Sequence, residues 1–387
     1  MRDRPTGCST VRIVFVITGL GAGGAEQMMC RLVKGMSPRF EPIVISLTDG
    51  GAQALGLDRA GIPVYTMGMT GVGSFAPAVH RLVSMYRSLR PDVVSTWMYH
   101  ADLVGGLAAR FAGISAVAWN IRNSDLSPEH SSWLTRKLVR LNARLSRRIP
   151  KAILCCSEVA RRIHVSLGYD PGRFIVVPNG FDLRDFVPDI DAAVSVRREL
   201  SIPLTAPLVG LIARWDPQKN HRGFVAAAAE LRRRIPEVHF LLAGENVDPG
   251  NPELKAWVEC AGIGSAVSLL GFRKDIPRLT AALDVATSSS TYGEAFPNVL
   301  GEAMACGVPC VATDVGDSAF IVGDTGRIVP PAEVGALVDA WEWVLTQPQH
   351  ERLAMGRKAR ERVAGNFDLI VVRKRYEDVF RQLASES

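Results

Sequence analysis

Two glutamates carry the clearest chemical signal in the chain, in the segment Tyr292-Gly293-Glu294-Ala295-Phe296-Pro297-Asn298-Val299-Leu300-Gly301-Glu302-Ala303-Met304-Ala305. Pro297 suits the first position of a helix. The N–H groups of Asn298 and Val299 are then available to a diphosphate or a sugar hydroxyl. Glu294 precedes that helix, and Glu302 lies about five residues, roughly 7.5 Å, inside it. Carboxylates so placed can hold two parts of one extended polar ligand, such as a sugar and a ribose. Without a ligand, Glu294 reads as a surface acid and Glu302 as an i,i+4 pairing residue. Glu302, however, falls in an otherwise apolar stretch, Val299 to Val311. An uncompensated polar group there costs on the order of 2–7 kcal/mol, so a polar ligand is the better account.

A basic pair precedes it. Val209 to Ala213 read as a strand ending in Arg214-Trp215-Asp216-Pro217-Gln218-Lys219-Asn220, with a helix from about His221. Arg214 at the strand end and Lys219 at the helix entry can converge on one point as a phosphate clamp, one a planar fork and the other a point charge. The alternative is two loop cations in solvent.

Near the start, strand 11–17 leads into Thr18-Gly19-Leu20-Gly21-Ala22-Gly23-Gly24-Ala25-Glu26 and then a helix. Glycines admit positive φ and close approach of the backbone to an anion, and helix N–H groups then face it. A dinucleotide site wants a regular GxGxxG and an acid about twenty residues on. Here the spacing is irregular and Asp49 comes late, so an NAD-dependent oxidoreductase is the weaker reading, and it leaves both glutamates without a task. Asp189-Ile190-Asp191 imitates a metal-binding DxD but falls in a Pro- and Asp-rich connection, so no metal site is expected.

These segments need a scaffold that brings loop ends together. Strand candidates lie at 11–17, 42–47, 63–67, 92–96, 116–120, 152–156 and 174–177. Helical patterns lie near 25–36, 75–89, 101–112, 129–148 and 157–167. Further strands read at 207–213, 238–243, 267–270, 284–288 and 309–312. Such alternation implies parallel sheets covered on both faces. Residues 178–206 read as the connection between two doubly wound domains, with a boundary near 188. Ligands collect beyond the carboxyl ends of parallel strands. That rule selects 18–24, Trp97 to His100, Asn120 to Asn123, Ser157, Asn179, Arg214 to Lys219, Gly244-Glu245, Gly271 to Lys274 and Gly293 onward.

Taken in order, these residues resemble the family 4 retaining glycosyltransferases of the GT-B fold: α/β, two doubly wound Rossmann-like domains facing a central cleft. The resemblance covers nearly the whole chain. It rests on Gly23-Gly24-Ala25-Glu26, Pro178-Asn179-Gly180-Phe181-Asp182, Arg214 with Lys219, and Glu294-x7-Glu302 followed by Ala303-Met304-Ala305-Cys306-Gly307-Val308-Pro309. The last is highly specific; the glycine loop is not. Trp97-Met98-Tyr99-His100-Ala101-Asp102 and Asn120-Ile121-Arg122-Asn123 are similar to the branch that builds bacterial surface polysaccharides. Ala295 stands where glycine is common, and Phe320 where an acid is usual.

The resemblance implies an acceptor-side domain, 1–188, onto which a last helix, about 368–387, crosses back, and a donor-side domain, 189–367. It implies a nucleoside-diphosphate sugar donor, UDP-linked, with no further cofactor or metal, and a glycan or lipid-linked glycan acceptor. Arg214 and Lys219 would hold the diphosphate, with Gly23 and Gly24 closing on it. Glu302 would bind ribose, and Glu294 with the backbone at Phe296 and Asn298 the transferred sugar. Arg273 would meet the base through its main chain, and His100 would stand beside the reacting sugar. A non-catalytic nucleotide-sugar sensor would keep the donor residues but need not keep His100.

Charge adds a partner. Residues 1–185 hold 23 Lys/Arg against 13 Asp/Glu, a balance of +10, within a total of +6. Leu134, Leu138, Leu141 and Leu145 form one helical stripe ringed by Arg136, Lys137, Arg140, Arg144, Arg147 and Arg148. Either this basic helix lies on an anionic membrane, or its leucines pack under the sheet and its arginines are solvated. No nucleic-acid partner is implied. Arg2 and Arg4 before an apolar run imitate a secretory leader, but Ile13 to Ile17 read as a buried strand. No uncharged apolar stretch reaches about 18 residues. Seven cysteines without a CxxC pair fit a reducing cytosol, at the inner face of the cell membrane if the basic helix docks.

Overall fold

β-Branched and aliphatic runs bounded by glycine, proline and polar residues become strands, and the amphipathic stretches between them become helices. A computed structural model describes residues 10–386 apart from residue 22; Arg2 and Arg4 of the leader-like pattern, and Ala22 of the glycine loop, lie outside the described residues. Residues 10–180 with 369–386 form one compact unit, and 181–368 form a second.

The first unit alternates β1 (Val11–Ile17), α1 (Gly24–Gly35), β2 (Phe40–Ser46), α2 (Gly51–Asp58), β3 (Val64–Thr66), α3 (Phe75–Leu89), β4 (Val93–Trp97), α4 (Tyr99–Phe111), β5 (Val117–Ile121), α5 (Trp133–Leu145), β6 (Ala152–Cys155), α6 (Glu158–Ser166) and β7 (Phe174–Val176). All pairs are parallel, in the order β3-β2-β1-β4-β5-β6-β7. One face of the sheet packs Ile13, Phe15 and Ile17 against Met29, Leu32 and Val33 of α1; the other packs Val14 and Val16 against Leu82, Tyr86, Val104 and Ala108. Strands buried on both faces are why the pattern reads as continuous apolar runs.

The second unit holds α7 (Ile190–Glu199), β8 (Leu208–Ile212), α8 (His221–Arg234), β9 (His239–Ala243), α9 (Pro252–Cys260), β10 (Val267–Leu269), α10 (Ile276–Ala281), β11 (Val285–Ser288), α11 (Asn298–Ala305), β12 (Cys310–Thr313), α12 (Ser318–Val322), β13 (Arg327–Val329), α13 (Val334–Thr346) and α14 (Gln349–Asn366). Its sheet is parallel, in the order β10-β9-β8-β11-β12-β13. The last helix, α15 (Leu369–Ser385), belongs to the first unit: Val372, Tyr376, Phe380 and Leu383 bury against Phe15, Leu32 and Trp97. The Ser37 amide donates to Glu377 at 2.8 Å. Gly180 abuts the start of α15, where a Cβ would stand 2.9 Å from the Leu369 Cα.

The structure departs from the sequence reading in several places. The first unit ends at Gly180 rather than near 188, because Phe181 is buried in the second, its amide donating to Phe367 (2.8 Å) and its ring lying against Gly301. The connection contains a helix, α7, capped by the Asp189 carboxylate on the Ala192 amide (3.0 Å); the imitation DxD is a helix start. The sequence reading also omitted α2 and β13, along with the helices α9, α10, α12, α13 and α14. Of α2, with three glycines in or beside it, only Leu57 is buried, and β13 has three residues. In α5, Leu138 and Leu145 pack inward, but Leu134 and Leu141 are 60% and 42% exposed, so packing under the sheet holds for half the stripe.

Candidate active site

In doubly wound sheets the crevice forms where strand order reverses. In the second unit that point lies between β8 and β11, and the loops after these strands carry the basic pair and Glu294. The loops are tied together: the Thr291 amide donates to the Gln218 carbonyl (2.9 Å), and the Ser289 hydroxyl to the Lys219 carbonyl (2.7 Å). The Lys219 ammonium meets a carboxylate oxygen of Glu294, and Ser290 donates to the same oxygen at 2.7 Å. Thr313 donates to the Ser290 carbonyl at 2.5 Å. Gly316, at φ 63°, lies so close to the Glu294 and Ala295 carbonyls that a Cβ would overlap them, and the Asp317 amide donates to Ala295 (3.1 Å). The backbone under Glu294 is therefore braced from β12 as well as β11. Ser289, Ser290, Thr313 and Gly316 were missed in the sequence; the signal was a polar run, Ser288 to Thr291, closing an apolar strand.

Lys219 and Glu294 are 75 residues apart, and their side chains keep only 18% and 10% of their surface in water. Each is costly to bury without the other. Arg214 stays exposed and turns to its neighbour Asp216 (2.8 Å), whose other oxygen caps the turn 217–219 at the Gln218 amide (3.0 Å). Each cation is thus paired with a carboxylate, and Asp216 lies within electrostatic reach of both.

Pro297 is the N-cap of α11, at ψ 108°, not its first helical residue; the helix starts at Asn298. Asn298, Val299 and Glu302 are half-buried along it, Glu302 in the second turn. Phe296 is buried behind the loop between Phe181 (6.3 Å, stacked) and Phe367 (5.5 Å, edge-on). Phe320, which stands where an acid is usual in the resembled family, extends this column, its ring 5.8 Å from Phe367. Arg273 commits its guanidinium to Asp275 (2.7 Å) and Glu199 (2.9 Å).

In the first unit the reversal lies between β1 and β4. Ile17 pairs with Trp97 at the ends of these strands, so the glycine loop and the Met98–His100 turn leave the sheet side by side. Gly23 is the N-cap of α1, Gly24 its first residue. None of Gly19, Gly21, Gly23 and Gly24 has positive φ. The loop needs glycine for close packing: a Cβ on Gly19 would stand 2.9 Å from the Thr48 hydroxyl, and Gly51, at φ 52°, brings α2 onto the Leu20 carbonyl. His100 is exposed at the head of α4, and the protein around it lowers its pKa. Arg122 lies 4.3 Å over the Trp97 ring, donates to Asn179 (2.8 Å) and reaches the Tyr376 hydroxyl, which pins α15 to β4. Among the described residues no group of three His, Cys, Asp or Glu is arranged to hold a metal ion.

Residues 22–185 match the family model described as Glycosyltransferase Family 4, and residues 206–347 match that described as Glycosyl transferases group 1. The chain belongs to the family 4 glycosyltransferases. The first match holds Gly23, Gly24 and His100, the second everything from Arg214 to Glu302. This glycosyltransferase is 27% identical to EpsF of Bacillus subtilis (strain 168), over 79% of its own length and 80% of that protein's. It is 23% identical to the UDP-Gal:alpha-D-GlcNAc-diphosphoundecaprenol alpha-1,3-galactosyltransferase of Escherichia coli, over 77% and 78%. It superposes on Anabaena HepE in complex with UDP at a TM-score of 0.86 and 25% identity, covering 96% of this chain and 100% of that one. Its fold class is GT-B, with two Rossmann-like parallel-sheet domains.

Proposed function

We propose that this glycosyltransferase moves a hexosyl group from a UDP-sugar to a hydroxyl of a glycan or lipid-diphosphate-linked glycan in cell-surface polysaccharide synthesis, with retention of configuration and without a metal. The observation that carries the proposal is the Lys219–Glu294–Ser290 cluster at the strand-order reversal of the second sheet. It sets a cation and a carboxylate side by side, which suits a ligand whose phosphate adjoins a polyol. HepE was crystallised with UDP and with UDP-glucose, and the Escherichia coli relative is named for a UDP-Gal donor and a diphosphoundecaprenol acceptor. The first supports the choice of donor, the second the choice of donor and acceptor class.

In this reading Lys219 and Arg214 take the diphosphate, whose two negative charges compete with Glu294 and Asp216 for them. Glu294, still held by Ser290, accepts from hydroxyls of the sugar. Glu302 takes the ribose, the backbone at Phe296, Asn298 and Val299 supports sugar and phosphate, and the Arg273 main chain meets the base. On the first unit, Gly23 and Gly24 present amides to phosphate. His100, neutral at pH 7, stands beside the reacting sugar. The bond from the anomeric carbon to the diphosphate breaks, the acceptor oxygen bonds to that carbon on the same face, and the acceptor proton passes to the departing phosphate. Fixed cations and amides stabilise that departing charge.

The test is slow hydrolysis of a panel of UDP-, GDP- and ADP-sugars, which needs no acceptor. Release of UDP from a UDP-hexose, lost in Glu294→Gln and Lys219→Ala, is the expected result. Tight binding of a UDP-sugar with no hydrolysis and no transfer to any lipid-linked glycan would assign the chain to a non-catalytic binder.

The helix α5 supports a second partner. Trp133, Leu134 and Leu141 are exposed on the side where Lys137, Arg140 and Arg144 also face solvent, and the Lys137 ammonium sits 3.7 Å over the Trp133 ring. Aromatic and aliphatic groups interleaved with cations fit an anionic lipid surface. We propose that α5 docks there, at the cytoplasmic face. No helix among the described residues is long and apolar enough to cross a membrane.

A further inference from the structure

The turn that presents His100 is strained. Met98, the N-cap of α4, has φ 75° and ψ 155°, a region that is essentially glycine's and strained for any residue with a side chain. Such a conformation persists only where its surroundings over-determine it. Here they do. The Met98 amide donates to the Asn120 carbonyl (3.1 Å), and its carbonyl accepts from the Asp102 amide (2.9 Å). Thr96, in β4, donates its hydroxyl to the Asp102 carboxyl at 2.5 Å, with both side chains fully buried. Asn142 donates to the Tyr99 carbonyl at 2.9 Å. The Tyr99 hydroxyl lies 2.8 Å from His164 Nε2, and His164 Nδ1 lies 2.7 Å from the Ala160 carbonyl. A carbonyl only accepts, so Nδ1 carries the proton and Tyr99 donates to Nε2. The residues on both sides of His100 in the chain are thus fixed from β4, α5 and α6, while His100 itself faces solvent.

We propose that Thr96, Asp102 and Tyr99 are positioning residues for His100: they clamp the first turn of α4 onto β4, hold Met98 in its glycine-like conformation, and so fix where the imidazole stands. The inference rests on the role given to His100 above. The second oxygen of Asp102 is buried with no hydrogen-bond partner. A neutral carboxyl or its amide isostere tolerates that place better than a carboxylate does, so Asn serves there and Ala does not.

Two measurements on the full chain test the clamp. The first is thermal stability of Met98→Gly against Met98→Ala. Both remove the side chain, but only glycine relieves the strain, so Met98→Gly melts higher by about 2–4 °C, the reverse of the usual order. Met98→Ala melting as high as Met98→Gly, or higher, overturns the strain argument. The second is UDP release from whichever of UDP-glucose, UDP-galactose and UDP-N-acetylglucosamine is hydrolysed fastest. Thr96→Val and Asp102→Ala lower kcat about tenfold with donor KM within about twofold, Asp102→Asn stays near wild type, and Thr96→Val in a His100→Ala background loses nothing further, as expected for residues acting through one another. If His100→Ala is inactive while Thr96→Val turns over normally, or if the two losses multiply, the positioning role is wrong and the role of His100 stands. If His100→Ala turns over normally, the role of His100 itself is wrong.

Discussion

Lys219 and Glu294 lose most of their water on folding and are each other's compensation. Removing one partner of such a pair leaves a buried charge, at a cost of about 3–5 kcal/mol, while replacing both by apolar groups of similar size is often neutral. Stability and catalysis can therefore be separated at this pair. Lys219→Ala is expected to lower both the melting temperature and turnover, the latter by a factor on the order of 10²–10³ if the ammonium stabilises the leaving diphosphate. The double variant Lys219→Met/Glu294→Leu is expected to recover the melting temperature but not the turnover. Calorimetry beside donor hydrolysis checks this, and recovery of both would remove the pair from the chemistry. Arg214 is the contrast. Its side chain is 56% exposed, so Arg214→Ala should leave stability within about 0.5 kcal/mol and still slow turnover if the guanidinium takes phosphate.

Among the elements, α4, α6 and α8 rest on buried imidazoles. Burial lowers the pKa of His164 to about 4, and of His221, the first residue of α8, also to about 4. Both are neutral in the fold, whereas in the unfolded chain they titrate near about 6.5. The unfolded state then binds more protons than the native state between these values, so stability is complete above about pH 6.5 and falls as pH drops toward about 4. Each imidazole accounts for a loss on the order of 3 kcal/mol by the lower end. Melting temperatures across that range check it; a flat profile would mean that the imidazoles are not held neutral. The surface of α5 makes a different claim. Sedimentation with phosphatidylglycerol vesicles at low salt, weakened by added salt and by Lys137→Glu/Arg140→Glu, is the expected behaviour. No binding at low salt would end the membrane proposal.

For the whole molecule, the last helix matters more than its position in the chain indicates. The apolar side of α15 closes the sheet face made by Phe15, Ile17 and Trp97, and Phe15 meets Phe380 edge-on at 5.7 Å. Phe380→Ala should destabilise the first unit by about 3–5 kcal/mol. Ending the chain at Asp368 should abolish the melting transition of the first unit and leave that of the second, which calorimetry resolves as two peaks becoming one. Two transitions surviving the truncation would show that the first unit completes its core without α15.

Much of this was legible in the residues. Strands buried on both faces spell continuous apolar runs, so twelve of the thirteen could be placed from pattern alone, and the Glu294–Glu302 segment stood out by one carboxylate before an apolar helix and one inside it. The helical spacing of Val371, Val372, Tyr376, Val379 and Phe380 likewise marks the apolar stripe of α15 in the sequence. What folding alone decided are relations between distant residues. That Lys219 meets Glu294, and that Thr313 and Gly316 brace the loop beneath it, follow from which strands become neighbours in the second sheet. The conformation of Met98 and the solvent face of Leu134 and Leu141 have the same origin. A methionine has no intrinsic reason to take a glycine's φ, and a leucine none to stay in water. Each does so because packing fixes the backbone on either side more strongly than its own preference opposes it.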